Sequence, residues 1–191
     1  MIKKRQRPTA YAFIDSQNLN LGVQKVGFKM DWRKFYYMLT TKYNVKKAFM
    51  FIGHMPEYED LYMQMHDIGF LVVLKPTHET HKLPTDPNMP QKPENSEEKK
   101  IIKGNIDAEL VLWAMKELSN YDKAIIVSGD GDFYCLAEYL HEVNKLGHIM
   151  TPNWQYSGLL KPFEDKIIRL DNLKRQLAYK SRSKKTVHKK I

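Results

Sequence analysis

The chain has 191 residues, 42% of them hydrophobic and 28% charged, the balance of one folded domain rather than a disordered chain. No apolar run is long enough to cross a bilayer, the start MIKKRQRPTA lacks the apolar segment of a secretory signal, and a single cysteine, Cys135, excludes an internal disulfide and a multi-cysteine zinc site. The formal net charge of +9 is concentrated at the ends: Lys3, Lys4, Arg5 and Arg7 at the start and eight bases from Lys174 to Lys190 leave 19 bases against 22 acids in the body.

These features place the protein in a reducing, cytoplasmic setting. They divide it into a basic N-terminal arm (1–9), a domain (10–173) and a basic C-terminal tail (174–191). Basic arms on a slightly acidic body suit a polyanion, nucleic acid above all; a tail that only aids solubility is the competing reading.

Along the chain, Tyr11-Ala12-Phe13-Ile14, closed by Asp15, predicts a buried strand. A helix follows from about Asn18 to Val26, with Asn18 as its cap. A second helix starts at Trp32 after Asp31 as N-cap. Its aromatic residues Trp32, Phe35, Tyr36 and Tyr37 point in too many directions to be all core, which leaves stacking on bases or a homodimer contact open. Val45 to Ile52 is the second strand. Tyr58 to Ile68 has helical spacing and stops at Gly69, and Phe70 to Leu74 is the third strand.

Lys75 to Lys100 lacks a hydrophobic period and is too long for an ordinary connection; it reads as a flap or as a hairpin returning at Lys99 to Lys103. A helix from Ile106 to Leu118, a strand from Lys123 to Val127, a helix from Phe133 to Leu146 closed by Gly147, and strands at His148 to Met150 and Ile167 to Leu170 complete the domain. A further helical stretch covers Asn172 to Tyr179. Strands alternating with helices predict a three-layer α/β/α fold with a mainly parallel sheet of five or six strands. Cys135, among apolar neighbours in its helix, is expected to be a buried structural thiol.

The stretch SGDGDF, Ser128 to Phe133, sets two acids at the mouth of the fourth strand. In an open parallel sheet, ligands bind beyond the carboxyl ends of the strands. Asp15, Asp130 and Asp132 lie at such ends, and Asp107 opens the helix that precedes the fourth strand. Singly, each is explained as a helix cap. Together they form an acidic edge whose oxygen donors suit Mg²⁺ or Mn²⁺, with Asp15, Asp107 and Asp130 as the ligands. Such an ion serves phosphodiester cleavage. Trp154 and Tyr156, after the fifth strand, are candidates for stacking a single-stranded base, and Lys103, Lys174 and Arg175 for phosphate contacts. His78 and His81, three apart, read as surface histidines, and no other histidine spacing suggests a metal site.

Three blocks carry a resemblance. Phe13-Ile14-Asp15-Ser16-Gln17-Asn18-Leu19 resembles the opening "iDgqNl" of NYN domains, the PIN-like group that includes LabA-like (DUF88) proteins. Lys103-Gly104-Asn105-Ile106-Asp107 is similar to their "KGvD" element with one residue added, and Ile126 to Phe133 resembles their "lvSGDsDF". The resemblance implies a PIN-like fold and a metal-dependent ribonuclease acting on single-stranded RNA, with Asp15, Asp107, Asp130 and Asp132 as the acidic site. Ser16 and Asn18 would position a phosphate, and Ser128 would brace the turn. Many relatives carry a further acid where this chain has Trp113. Glu109 would replace it only on an irregular helix start. The rival readings are a nucleic-acid-binding or scaffold protein on the same fold, and a phosphatase or DNA-directed nuclease.

Overall fold

A computed structural model of the protein describes residues 7–75 and 106–180. Six strands form one parallel sheet: β1 (Ala10–Asp15), β2 (Val45–Gly53), β3 (Leu71–Lys75), β4 (Lys123–Val127), β5 (Leu146–Thr151) and β6 (Ile167–Arg169), in the order β3-β2-β1-β4-β5-β6. β1 is central; Phe13 pairs with Phe49 of β2 on one side and Ile126 of β4 on the other. All six of its residues are buried, as a parallel strand covered on both faces requires.

Helices α1 (Ser16–Lys25), α2 (Trp32–Lys42), α3 (Glu59–Ile68), α4 (Asp107–Lys116), α5 (Tyr134–Glu142) and α6 (Lys174–Leu177) follow the expected alternation. Side chains alternate across the pleat, so β1 feeds two cores. Ile14 joins Leu19, Phe35, Leu39, Met50 and Met65 on the face of α1, α2 and α3. Phe13 joins Phe49, Leu110, Phe133 and Leu140 on the face of α4 and α5, and its ring stacks on that of Phe49 at 5.5 Å. The three-layer α/β/α architecture is the one the sequence predicts.

Local signals explain most of the element ends. Asp31 caps α2 by accepting the N–H of Lys34, and Gly69, in the left-handed conformation, ends α3. Four expectations are corrected. α1 begins at Ser16, capped by Asp15 rather than Asn18. The helix after SGDGDF ends at Glu142, not Leu146, because Asn144, three residues before Gly147, takes the left-handed conformation and turns the chain into β5. Cys135 is exposed rather than buried, since it lies on the outer side of α5 while Leu136, Ala137 and Leu140 pack inward.

The fourth correction concerns the boundary placed after residue 173. The backbone of residues 177–179 is tied to the start of α2 by the N–H of Asp31 donating to Leu177 O, the N–H of Tyr179 donating to Lys29 O, and a bridge between Met30 and Ala178. Leu177 is fully buried, so its apolar side chain brings the first part of the basic segment into the core. The aromatic helix divides similarly: Phe35 is buried, Trp32 and Tyr36 pack edge-on against Phe70, and Tyr37 is exposed. Most of the 75–100 segment, the hairpin expected at 99–103, His78, His81 and Lys103 lie outside the described residues.

Candidate active site

The strand order reverses between β1 and β4: β2 and β3 continue outward on one side, β5 and β6 on the other. At such a switch point the connections leave in opposite directions and open a crevice at the carboxyl ends. Asp15 ends β1 and Ser128 follows β4, so the crevice falls between the two predicted acidic segments.

Asp15 does two jobs there. Its Oδ1 accepts the N–H of Asn18 at 3.0 Å, capping α1, and its Oδ2 accepts the Ser128 hydroxyl at 3.2 Å. The Ser128 Oγ in turn accepts the N–H of Asp130 at 3.1 Å. Asn18 crosses the same gap, its Oδ1 accepting the N–H of Gly129 at 2.9 Å. Asp130 then caps the turn of residues 131–133 by accepting the N–H of Asp132 at 3.0 Å. The cap and active-site readings of these acids are therefore not exclusive, because each carboxylate keeps acceptor capacity beyond its capping bond.

Asp15 is only 5% exposed. Burial pushes its carboxyl above the ordinary 3.8, and the charge of Asp130 pushes the same way; the Asn18 N–H and the Ser128 hydroxyl oppose them without cancelling the shift. The crevice thus holds a carboxylate whose negative charge its protein neighbours do not fully compensate.

The other two acids lie on the same edge. α4 leads into the amino end of β4, so its first residue, Asp107, starts at the carboxyl edge, and the helix packs on β1 and on the 131–133 turn. Asp107 is half-buried and Asp132 exposed. Among the described residues, no three Asp, Glu, His or Cys side chains form a compact group able to hold a metal ion. The expected three-carboxylate cage of Asp15, Asp107 and Asp130 is therefore not assembled. The electrostatic coupling that stands out is Asp15 with Asp130, and one or two carboxylates completed by water and phosphate oxygens are what Mg²⁺ ordinarily takes. The pair fits such an ion; an all-protein cage does not describe it.

The wall of the crevice is the loop after β5, in which sequence reasoning named Trp154 and Tyr156 but missed Asn153. Asn153 is almost fully buried. Its Nδ2 donates to Gly22 O at 2.7 Å and its Oδ1 accepts the Gln155 N–H at 2.7 Å, locking the loop after β5 onto α1. A Cβ on Gly22 would stand 2.4 Å from Pro152 Cβ, a contact that needs glycine, and one on Gly131 would stand 2.4 Å from Ser157 Oγ, which would have to move. Ser157 also donates its N–H to Gly129 O at 2.9 Å. The local signal at Pro152-Asn153 is only that of a turn; the role of Asn153 comes from a partner more than a hundred residues away.

The remaining predicted residues separate clearly. Ser16 donates its hydroxyl to Phe51 O at 2.7 Å and ties α1 to β2. Trp154 is 58% exposed on the loop after β5. Lys174 donates to Val26 O at 3.1 Å and lies 5.9 Å above the Phe28 ring, a post at the end of α1, while Arg175 is exposed. Trp113 packs against Phe49 with centroids 5.3 Å apart. Glu109 sits on a regular α4 and pairs with Lys75 at 2.9 Å. Neither replaces the additional acid of the relatives.

An open parallel sheet with acids at its switch point is the architecture of a PIN-like α/β domain. The NYN domain model matches residues 9–171, and the chain belongs to the NYN domain family, within the PIN-like superfamily. NYN domains are generally nucleases, so membership implies a nucleic-acid substrate. No curated protein matches the chain. Among solved structures it is similar to a protein of unknown function from Vibrio parahaemolyticus, with a TM-score of 0.66, 23% identity, and coverage of 92% of this chain and 99% of that one; this likeness speaks to the fold alone. Among the described residues no helix is long and apolar enough to cross a membrane.

Proposed function

We propose that the protein is a cytoplasmic, Mg²⁺- or Mn²⁺-dependent ribonuclease that hydrolyses phosphodiester bonds of single-stranded RNA at the crevice between β1 and β4. The observation that carries this reading is Asp15, nearly buried, its charge further disfavoured by Asp130, at the topological switch point. An arrangement that costs stability in the free protein is repaid when a cation is held there. Asp15 and Asp130 are the holding pair, and Asp107 and Asp132 supply further carboxylates on the same edge. When bound, the ion supplies Lewis-acid charge to the phosphodiester.

The chain's own residues do the positioning. Ser128 fixes Asp15 and Asp130 relative to each other, and Asn18 anchors Gly129 so that the turn keeps its shape. Trp154 offers an exposed face for a base. The acids alone repel phosphates, so the bases at the two ends of the chain draw the strand in.

The test is an assay on single-stranded RNA and DNA with Mg²⁺, Mn²⁺ or EDTA. RNA cut with either ion and spared with EDTA supports the reading; DNA cut in its place would make it a DNA-directed nuclease. A second reading has its own observation: Trp113 fills the position of the relatives' additional acid with a partly buried aromatic packed on Phe49. That favours a nucleic-acid-binding protein without cleavage, recognised by RNA that is bound but intact at saturating metal.

A further inference from the structure

Between α1, the carboxyl end of β2 and α3 lies a cavity of about 640 Å³, within the range of small-ligand sites. It adjoins the acidic crevice: Ser16 and Gln17, which follow Asp15 directly, line it. Its walls are apolar, with Met50, Ile52, Met55 and Leu61 among them. They are also preset, because the Tyr62 hydroxyl accepts the Met55 N–H at 2.9 Å and holds that turn in place. Trp32 closes one side in edge-on contact with Phe35 and Phe70, and Tyr58, 47% exposed, stands at another.

The polar lining is specific. Gln17, Asn20 and Gln24 project from α1 at a spacing that puts all three on one face. Among the described residues, none of these amides makes a side-chain hydrogen bond. The one charged residue in the lining is Lys29. An apolar helix from a partner would leave the amides unpaired, which costs free energy. A flat ring with donors and acceptors on its edge satisfies both halves of the site, since amides pair with base edges while apolar and aromatic walls cover the faces.

We propose that this cavity is a nucleobase subsite, taking one unstacked base of the strand whose phosphate lies at the Asp15–Asp130 crevice. The inference rests on the ribonuclease reading for its ligand, and it assigns that substrate a base to be read as well as a backbone to be cut.

The test is a methionine-methyl NMR titration of the full chain in EDTA, where no metal-dependent cleavage occurs, with a trinucleotide of RNA and with the same backbone lacking bases. Ring-current shifts at Met50, Met55 and Met65 with the first and not the second are expected. Leu61→Glu, at a 41% exposed position, should remove those shifts and weaken binding by about tenfold, the scale of one stacked base. Tyr58→Ala should weaken binding without introducing a charge. In the cleavage assay Leu61→Glu should raise KM and leave kcat. Shifts elsewhere with these methyls unmoved, or equal shifts with the abasic strand, would overturn the subsite and leave the ribonuclease reading standing. Base-dependent shifts in a protein that cuts nothing would do the reverse.

Discussion

Ser128 gives its hydroxyl to Asp15 and takes the N–H of Asp130, so one fully buried oxygen sets the placement of both acids. Without that bridge, the end of β1 and the turn after β4 would be related only through the sheet and Asn18. The bridge also explains why the pair persists although Asp15 is held unfavourably: part of the cost is offset by hydrogen bonds to the charged form.

The sign of that cost is measurable through Asp15→Asn. Because the folded-state pKa of Asp15 is raised above 3.8, its contribution to stability is fully present below the unfolded value and disappears as pH rises through the folded one. Asparagine keeps an acceptor for the Asn18 N–H and carries no charge. In EDTA, Asp15→Asn should therefore melt above the wild type at neutral pH, by about 2–4 °C per kcal/mol regained, and the gap should close towards pH 4. Thermal melts across that range check it; a variant less stable at every pH would contradict the unfavourable burial.

Asp130→Asn separates folding from chemistry. The asparagine Oδ1 can still accept the Asp132 N–H, so the turn and its circular-dichroism spectrum should be retained. Loss of the charge should abolish the rise in melting temperature that Mg²⁺ or Mn²⁺ gives the wild type, which is about 2.7 kcal/mol of stabilisation at a hundred times Kd. RNA cleavage should fall to background. Wild-type turnover at saturating metal would remove Asp130 from the site.

The contact between Gly131 and Ser157 lends itself to rescue. A methyl group on residue 131 meets Ser157 Oγ at 2.4 Å and Leu159 Cδ1 at 3.0 Å, so Gly131→Ala should cost about 1–3 kcal/mol, as overpacking does. Adding Ser157→Gly removes the nearest obstacle and should recover most of the stability. Urea denaturation of the two variants and the wild type decides it; equal stability of single and double variants would mean that the strain lies elsewhere.

Two truncations separate the contribution of residues 174–180 from that of the bases beyond them. Deleting 174–191 removes Leu177 from the core and should destabilise by at least the about 2–5 kcal/mol of a large-to-small core change. Deleting only 181–191 removes Arg182, Lys184, Lys185, Lys189 and Lys190 and spares those interactions. It should leave the melting temperature unchanged and reduce the salt slope of single-stranded RNA binding by about 0.7 for each phosphate that is no longer neutralised. Fluorescence titration at several salt concentrations reads the slope; an unchanged slope and affinity would make that tail a solubility device.

Much of the fold was legible because its strands are buried on both faces. Ala124-Ile125-Ile126-Val127 and Tyr11-Ala12-Phe13-Ile14 are short apolar runs bounded by polar turns, and they are β4 and β1. Helix ends were legible where a local device sets them, as at Asp31 and Gly69. They were obscured where two devices compete: Asp15 outcompetes Asn18 as the cap, and Asn144 turns the chain before Gly147 does. At the site, the acids stand at the predicted edge, but their coupling through Ser128 and the lock at Asn153 depend on side chains brought together by tertiary contacts. No spacing rule encodes those. The buried Leu177 was hidden for a different reason, as a few apolar side chains among eight bases read as part of a solvated run.

The antiparallel bridge between Met30 and Ala178 also fixes an exit point. Tyr179 is bonded to Lys29, and Lys29 lines the cavity beside α1, so the basic segment passes that cavity at residue 179. Arg7, by contrast, lies beside Asn44 and His148 next to the amino ends of the strands. The two basic ends therefore meet the domain at different places: residue 179 beside the cavity next to α1, and residue 7 next to the amino ends of the strands, away from the acids.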